Sequence, residues 1–383
     1  MASTLETLRE IRDINASFPY SEPIKEWKEQ GRKVIGWQCT YVPEEIIYAA
    51  GMLPIRVTGG SKELELEDAN AYLYINSCSS VRSCLQLGLE KQYDFLDGFV
   101  AGSTCDGARR LADVWDRYLS IPVIYVLSVP RKSTERAHEL YRQEVLEFKR
   151  RLEEQFQVEI TDQAMREAIG VFNRTRELLK KLYDLRKLDN PPISGAETLE
   201  VLNAGFIMPK EQFNELLERL LEEASTGDRA LEGEFRLMII GSTLSNPEFI
   251  KTIEDLGGLV VVDELCTSTR YWWELVDTDP NLDPLEAISR RYLDNFPCSR
   301  MYPVENRFNK VMDLVKDFRV DGVISQIIRY CVPYAHDEPL LRERFEQRGI
   351  PVLEVDVEYG MPGTGQIRTR VQAFLEMLEG GRK

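Results

Sequence analysis

Seven cysteines and only two histidines give this 383-residue chain its clearest capacity for chemistry. The thiols are Cys39, Cys78, Cys84, Cys105, Cys266, Cys298 and Cys331. Cys78 and Cys84 stand six positions apart in "CSSVRSC", a spacing that fits neither a zinc ribbon nor a redox CxxC. With His138 and His336 as the only imidazoles, a mixed Cys/His zinc site or a Ser-His-Asp triad has few candidates. The polar N-terminal stretch has no apolar signal region, and no apolar run reaches 18 residues, so a cytoplasmic protein without a membrane span is expected. In a reducing compartment the thiols should not form a disulfide framework. Buried apolar cysteine, catalytic cysteine and metal ligand are the roles left.

The elements that must position these thiols alternate between strand and helix. "KVIGWQCTYV", "LPIRV", "AYLYINS", "FLDGFVAGS" and "PVIYVLSVP" read as strands, interleaved with the helical "PEEIIYAAG", "SSVRSCLQLGLEK" and "DGARRLADVWDRYL". Residues 1–33 read as amphipathic helix. Residues 134–233 are charged and helical, with Thr161 or Asp162 as an N-cap. Alternation returns with "FRLMIIGS", "GGLVVVDEL", "VDGVISQIIRY" and "IPVLEVDVE", and "GQIRTRVQAFLEMLEGG" closes the chain as helix. The pattern predicts an α/β protein with a parallel-sheet unit over 1–133, a helical segment over 134–233 and a second α/β unit over 234–383.

On that reading Cys39, Cys78, Cys105, Cys266 and Cys331 each follow the carboxyl end of a strand, where open parallel sheets bind their ligands. One such cysteine would be a small hydrophobe. Five at corresponding strand ends favour a metal or cluster, and an all-thiolate donor set favours iron–sulfur over zinc. Cys298 lies in a loop, "NFPCSRMYP", that could reach the same edge. Cys84 would lie about one and two-thirds helical turns beyond Cys78, off its ridge, and so reach a neighbouring centre more readily than a second corner of one mononuclear site.

The stretches "GWQCTYVPEEIIYAAGMLPIRV" (36–57), "STCDGARR" (103–110), "VDELCTSTRYW" (262–272), "QIIRYC" (326–331) and "GQIRTRVQAFLEML" (365–378) together resemble the benzoyl-CoA reductase and 2-hydroxyacyl-CoA dehydratase family. The resemblance spans nearly the whole chain. It implies two flavodoxin-like domains holding an iron–sulfur cluster between them, and an ATP-hydrolysing iron–sulfur activator that donates electrons. In the family's one-cluster subunits three cysteines hold a [4Fe-4S] cluster; by motif these are Cys78, Cys105 and Cys331. The extra Cys84 resembles the family's double-cubane cluster proteins, which are homodimers. Two cubanes joined by one sulfide need six thiolates, so two of Cys39, Cys266 and Cys298 would join Cys78, Cys84, Cys105 and Cys331, and one would be spare. The favoured expectation is a double-cubane [8Fe-9S] reductase acting on a small unreactive substrate. A one-cluster dehydratase or reductase subunit and an electron-storage protein without turnover are the alternatives.

Other polar residues carry weaker expectations. Glu44 and Glu45 could donate protons near the cluster, although a helix start alone favours them there. Ser77 and Ser79 flank Cys78, where helix N–H groups could bond cluster sulfurs, or the serines could simply cap the helix. Arg109, Arg270 and Arg329 lie close to cysteines and could face a cluster or an anionic substrate. The glycines of "EYGMPGTGQIRTR" could cradle a phosphate, but without the dinucleotide fingerprint. No GxxxxGK[ST] occurs, so ATP would be hydrolysed on another protein. A net charge of −16, from 48 Lys and Arg against 64 Asp and Glu, argues against nucleic acid as a partner.

Overall fold

A computed structural model describes residues 5–361 and 365–382. The chain forms two four-stranded parallel sheets. The first contains β1 (Val34–Gln38), β2 (Leu53–Arg56), β3 (Gly98–Ser103) and β4 (Val123–Ser128) in the order β2-β1-β3-β4. The second contains β5 (Phe235–Gly241), β6 (Gly258–Glu264), β7 (Gly322–Ile328) and β8 (Val352–Val357) in the order β6-β5-β7-β8. Each sheet therefore repeats the order 2-1-3-4; the parallel α/β sheets are those the alternating pattern predicts, and the flavodoxin-like arrangement is the one the family resemblance implies. The central strands β1, β3, β5 and β7 are almost wholly buried, which is why they read as apolar runs rather than alternations.

This order fixes where a ligand can sit. In each sheet the chain turns from its first strand toward one edge and returns to the other side of that strand. A crevice opens at the carboxyl ends of β1 and β3, and another at those of β5 and β7.

Three sequence expectations change. The stretch expected as one helix holds two over its described residues, Glu6–Ala16 and Glu22–Glu29, because Pro19 has no N–H with which to continue the first. "AYLYINS" is no strand. Helix Glu67–Tyr72 precedes a loop in which Tyr74 and Ile75 are exposed, and both neighbours of β3 in the sheet, β1 and β4, are already in place. Cys78 thus reaches the crevice from a loop. The first strand stops at Gln38 because Cys39 adopts a left-handed backbone, φ 83°.

Between the sheets in sequence run helices Glu135–Phe156, Asp162–Leu185, Gly195–Gly205 and Lys210–Thr226, the second capped by Thr161 as expected. Helix Glu135–Phe156 packs on β4 and on helix Pro284–Asp294, and so touches both α/β units. Helix Asp162–Leu185 packs on the short helix Glu44–Ala49 through buried charge. Arg176 Nη2 lies 2.5 Å from Glu45 Oε1, and Tyr292 donates its hydroxyl to Glu45 Oε2 at 2.6 Å. The Arg176 guanidinium holds the Glu45 carboxyl below its ordinary range despite complete burial.

Removing one partner of such a pair strands a charge in the core. Arg176→Met is expected to cost about 3–5 kcal/mol, measured by urea unfolding of the protein stripped of metal with chelator. Arg176→Met with Glu45→Gln should recover most of that loss. An additive double variant would mean the pair is not the link between these helices.

Candidate functional site

The two crevices face each other across one cavity of about 140 Å³, and all seven cysteines line it. Cys84 is buried; the other six are half-buried. Cys39 follows β1, Cys105 follows β3, Cys266 follows β6 and Cys331 follows β7, so four of the five strand-end placements hold. Cys78 and Cys84 enter on helix Ser79–Leu89, and Cys298 enters on the loop after helix Pro284–Asp294.

Three of these thiols share a local geometry. Cys78, Cys105 and Cys331 are the N-cap residues of helices Ser79–Leu89, Asp106–Tyr118 and Val332–Glu346. An N-cap side chain meets unpaired backbone N–H groups and the positive end of the helix dipole, both of which favour a thiolate. Cys105 Sγ accepts from the Ala108 N–H at 3.4 Å, and the N–H groups of Val81 and Ser80 pull the Cys78 thiol downward. Burial nevertheless dominates. It holds Cys78 above its ordinary range, pushes Cys84 and Cys105 up to about 12 and Cys266 to about 11, and raises Cys331 well above 9.0. Neighbouring thiols add to the rise at Cys84, Cys105 and Cys331. Left-handed backbone at Cys39 and at Tyr330, φ 66°, costs of order 1–3 kcal/mol per residue and aims the two chain turns at the cavity.

The remaining wall is apolar, neutral polar or cationic. Val57, Val81, Ile328 and Tyr359 line it, and among the described residues no carboxylate or imidazole does. Arg56, at the end of β2, donates from Nη1 to the Cys266 carbonyl at 2.8 Å. Arg300 donates to the carbonyls of Thr104, Pro130 and Val129 at 3.0, 2.9 and 2.7 Å. Each arginine therefore reaches from one α/β unit to backbone of the other, and neither has a carboxylate partner among the described residues. Tyr334, also on the wall, has a buried hydroxyl without a partner.

Among the described residues no three His, Cys, Asp or Glu side chains converge on one metal ion. Thiols spread around a volume suit a multi-atom cluster instead, whose iron corners are separated in space and each take one thiolate. The soft donor set, the two arginines and the lack of carboxylates on the wall among the described residues fit an anionic iron–sulfur cluster.

Several sequence candidates fall outside the cavity wall. Glu44 and Glu45 are buried in ion pairs; Glu44 Oε2 lies 3.7 Å from Lys210 Nζ, and neither carboxylate lines the cavity. Ser79 accepts the Tyr359 N–H at 2.8 Å, and the Ser77 carbonyl accepts from Arg82 at 2.9 Å, so both serines build the Cys78 turn. Arg270 sits behind Cys266, donating to the carbonyls of Gly241 and Ser242 and pairing with Glu264 at 3.0 Å. Arg329 is exposed beside Glu358, and Arg109 is exposed on its helix. The glycine turn before the last helix includes residues 362–364, outside the described residues. Sequence reasoning misses Arg56, Arg300, Tyr334 and Ser242. Arg56 and Ser242 obey the strand-end rule applied to the cysteines, whereas Arg300 lies on an irregular loop with no periodic signal.

A family model described as 2-hydroxyglutaryl-CoA dehydratase, D-component, matches residues 39–378. The chain is 29% identical to one of the subunits of benzoyl-CoA reductase from Thauera aromatica, over 98% of this chain and 97% of the relative. It is 25% identical to the (R)-phenyllactyl-CoA dehydratase beta subunit of Clostridium sporogenes, over 99% and 100%. It is 27% identical to the (R)-2-hydroxyglutaryl-CoA dehydratase beta subunit of Acidaminococcus fermentans, over 97% and 98%.

The raised thiols make a pH prediction. Above about pH 8.5 cysteines of the unfolded chain ionise, while the buried thiols stay neutral until about 11–12. Stability is thus complete below the unfolded value and falls as pH rises toward the folded ones. The thermal midpoint of iron-free protein should drop between about pH 8 and 10, and Cys84→Ala should reduce the slope. A slope unchanged by Cys84→Ala would contradict the burial of that thiol.

Proposed function

Because the chain belongs to the 2-hydroxyglutaryl-CoA dehydratase D-component family, we propose that it is the iron–sulfur subunit of an enzyme that dehydrates or reduces an acyl-CoA thioester. The observation that carries this reading is the single cavity ringed by seven thiols at the switch points of two sheets. Its relatives are named as subunits of dehydratases and of a reductase, which favours a multi-component system over a protein acting alone. When bound, an iron–sulfur cluster supplies single electrons and an iron corner that a substrate oxygen can approach.

The protein's own contribution would be fourfold. Cys78, Cys105 and Cys331 hold the cluster from three helix N-caps. Arg56 and Arg300 offset its negative charge in a wall free of carboxylates. Val57, Val81 and Ile328 exclude water and so strengthen every charge interaction within. Tyr334 places an unpartnered hydroxyl on the wall, within the set of groups that can hydrogen-bond a substrate oxygen. The chain has no P-loop, so ATP-driven electron delivery would come from a separate activator. Exposed Tyr74, Ile75, Tyr330 and Val332 flank Cys78 and Cys331, and apolar residues so placed suit a protein partner covering the site.

One observation favours a second reading, the double cubane. Three thiolates suffice for one cubane in this family, yet Cys39, Cys84, Cys266 and Cys298 reach the same cavity. In that reading the chain is a homodimeric reductase of small unreactive substrates rather than half of a heteromeric dehydratase.

Iron and acid-labile sulfide counts on anaerobically purified protein separate the readings. About four irons per chain supports the single cubane and about eight the double. Cys84→Ser should leave the count unchanged in the first case and lower it in the second. Fewer than about one iron per chain under reconstitution would sink both. With an ATP-dependent activator present, dehydration of 2-hydroxyacyl-CoA supports the first reading, and reduction of a small unsaturated compound without CoA supports the second.

A further inference from the structure

A second cavity of about 340 Å³ adjoins the thiol cavity, and the two share Arg56 and Thr58 as common wall. Its other walls come from the N-terminal helix, the loop 58–62, the segment around Phe206 and the turn before helix Pro247–Glu254. Arg56 is the key to its chemistry. The side chain is 5% exposed, and its guanidinium carbon lies 4.8 Å from the centre of the Phe206 ring, on the wall of this cavity. Its Nη1 reaches the other way to the Cys266 carbonyl. The arginine thus stands in the partition and lines both cavities, with the Trp37 ring centre 5.1 Å from its guanidinium carbon as well. A buried guanidinium without a carboxylate is costly unless an anion completes it.

The remaining charges do not satisfy Arg56. Glu200 is held by Arg12 at 2.8 Å, and Glu248 is exposed and directed toward Lys251 at 3.9 Å. Lys62, on the rim, adds positive charge. Phe18, Phe206 and Ile207 supply apolar wall. The volume lies at the small end of the range, about 300–1,000 Å³, that small-molecule sites occupy.

We propose that this second cavity is an antechamber for small carboxylates with an apolar body, held on Arg56 beside the thiol cavity. As a substrate route it rests on the second reading above, in which the reactant carries no CoA; as a binding site it rests on neither reading. The anionic end of the ligand meets Arg56, its apolar body lies against Phe18 and Phe206, and it waits one side chain away from Cys84 and Cys266, both of which feel the Arg56 charge.

The test is calorimetric titration of iron-loaded and iron-free protein with benzoate and with benzamide, its neutral isostere. Benzoate should bind both forms, with benzamide weaker by at least about tenfold, or about 1.4 kcal/mol. Arg56→Met should abolish benzoate binding and Arg56→Lys should retain part of it. Ser61→Trp, which fills the cavity from its rim without disturbing the buried charge, should also abolish binding while leaving iron content and thermal midpoint unchanged. Equal affinity for benzamide, benzoate binding that survives both Arg56→Met and Ser61→Trp, or no benzoate binding to either form overturns the proposal. An iron-free protein that still binds benzoate through Arg56 keeps it standing even if the iron counts remove the cluster.

Discussion

Everything in this molecule turns on two arginines that cross between the α/β units without meeting a carboxylate. Arg56 leaves β2 and caps the carbonyl of Cys266; Arg300 leaves the second unit and gathers three carbonyls of the first. Backbone carbonyls satisfy the donors but cannot cancel the charge. The structure keeps two positive charges beside a small apolar cavity, where a low dielectric magnifies them. In a chain with net charge −16, compensating carboxylates are abundant, so a wall without them is an informative arrangement. It is what an anionic occupant requires.

A second layer of charge fixes the loops that carry the thiols. Glu264, at the end of β6, pairs with both Arg270 and Arg307, and Arg307 pairs in turn with Asp337 on the helix that Cys331 caps. Tyr334 lies beneath both guanidinium groups, 5.0 and 5.1 Å from their carbons. Buried ion pairs contribute little net stability, but breaking one is expensive, so they specify a single arrangement. Here they lock the turn after β6 to the start of helix Val332–Glu346, which holds Cys266 and Cys331 in register. Close backbone approach does the equivalent work in the first unit. A Cβ on Gly59 would lie 2.3 Å from that of Ser83, so the missing side chain is what lets helix Ser79–Leu89 seat Cys84 against the loop after β2.

The parallel α/β class and most of the thiol placement are legible in the sequence, for one physical reason. Parallel strands buried on both faces leave apolar runs, and ligand-binding residues follow those runs at their carboxyl ends. Cys39, Cys105, Cys266 and Cys331 obey that rule. Cys78 reads correctly as a helix start but after the wrong preceding element, because "AYLYINS" has a strand's composition yet begins in the helix Glu67–Tyr72 and pairs with neither edge of the sheet. Glu44 and Glu45 mislead in the opposite sense. Their sequence position near Cys39 suggests the site, whereas the helix turns them toward Arg176 and Lys210, and nothing local in sequence records partners more than a hundred residues away. Arg300 is illegible for the same reason, since its three acceptors belong to segments brought near only by the fold.

The seven thiols are not equivalent, and the difference lies in the backbone behind each. Cys78, Cys105 and Cys331 stand at helix N-caps, near the positive end of a helix dipole; backbone N–H groups pull the Cys78 thiol down and one bonds Cys105 Sγ, although burial holds all three thiols above their ordinary range. Cys39 and Cys266 sit at strand ends, Cys298 in a loop and Cys84 in the second turn of a helix, none with a helix terminus aimed at it. A cluster held by the three capped thiols would place its charge beside three helix N-termini. Any further iron would be held by thiols that rely on Arg56 and Arg300 instead. The three-thiol set that the motifs suggest is therefore also the set that stands at helix N-termini, and the other four would hold iron only with the two arginines offsetting the added charge.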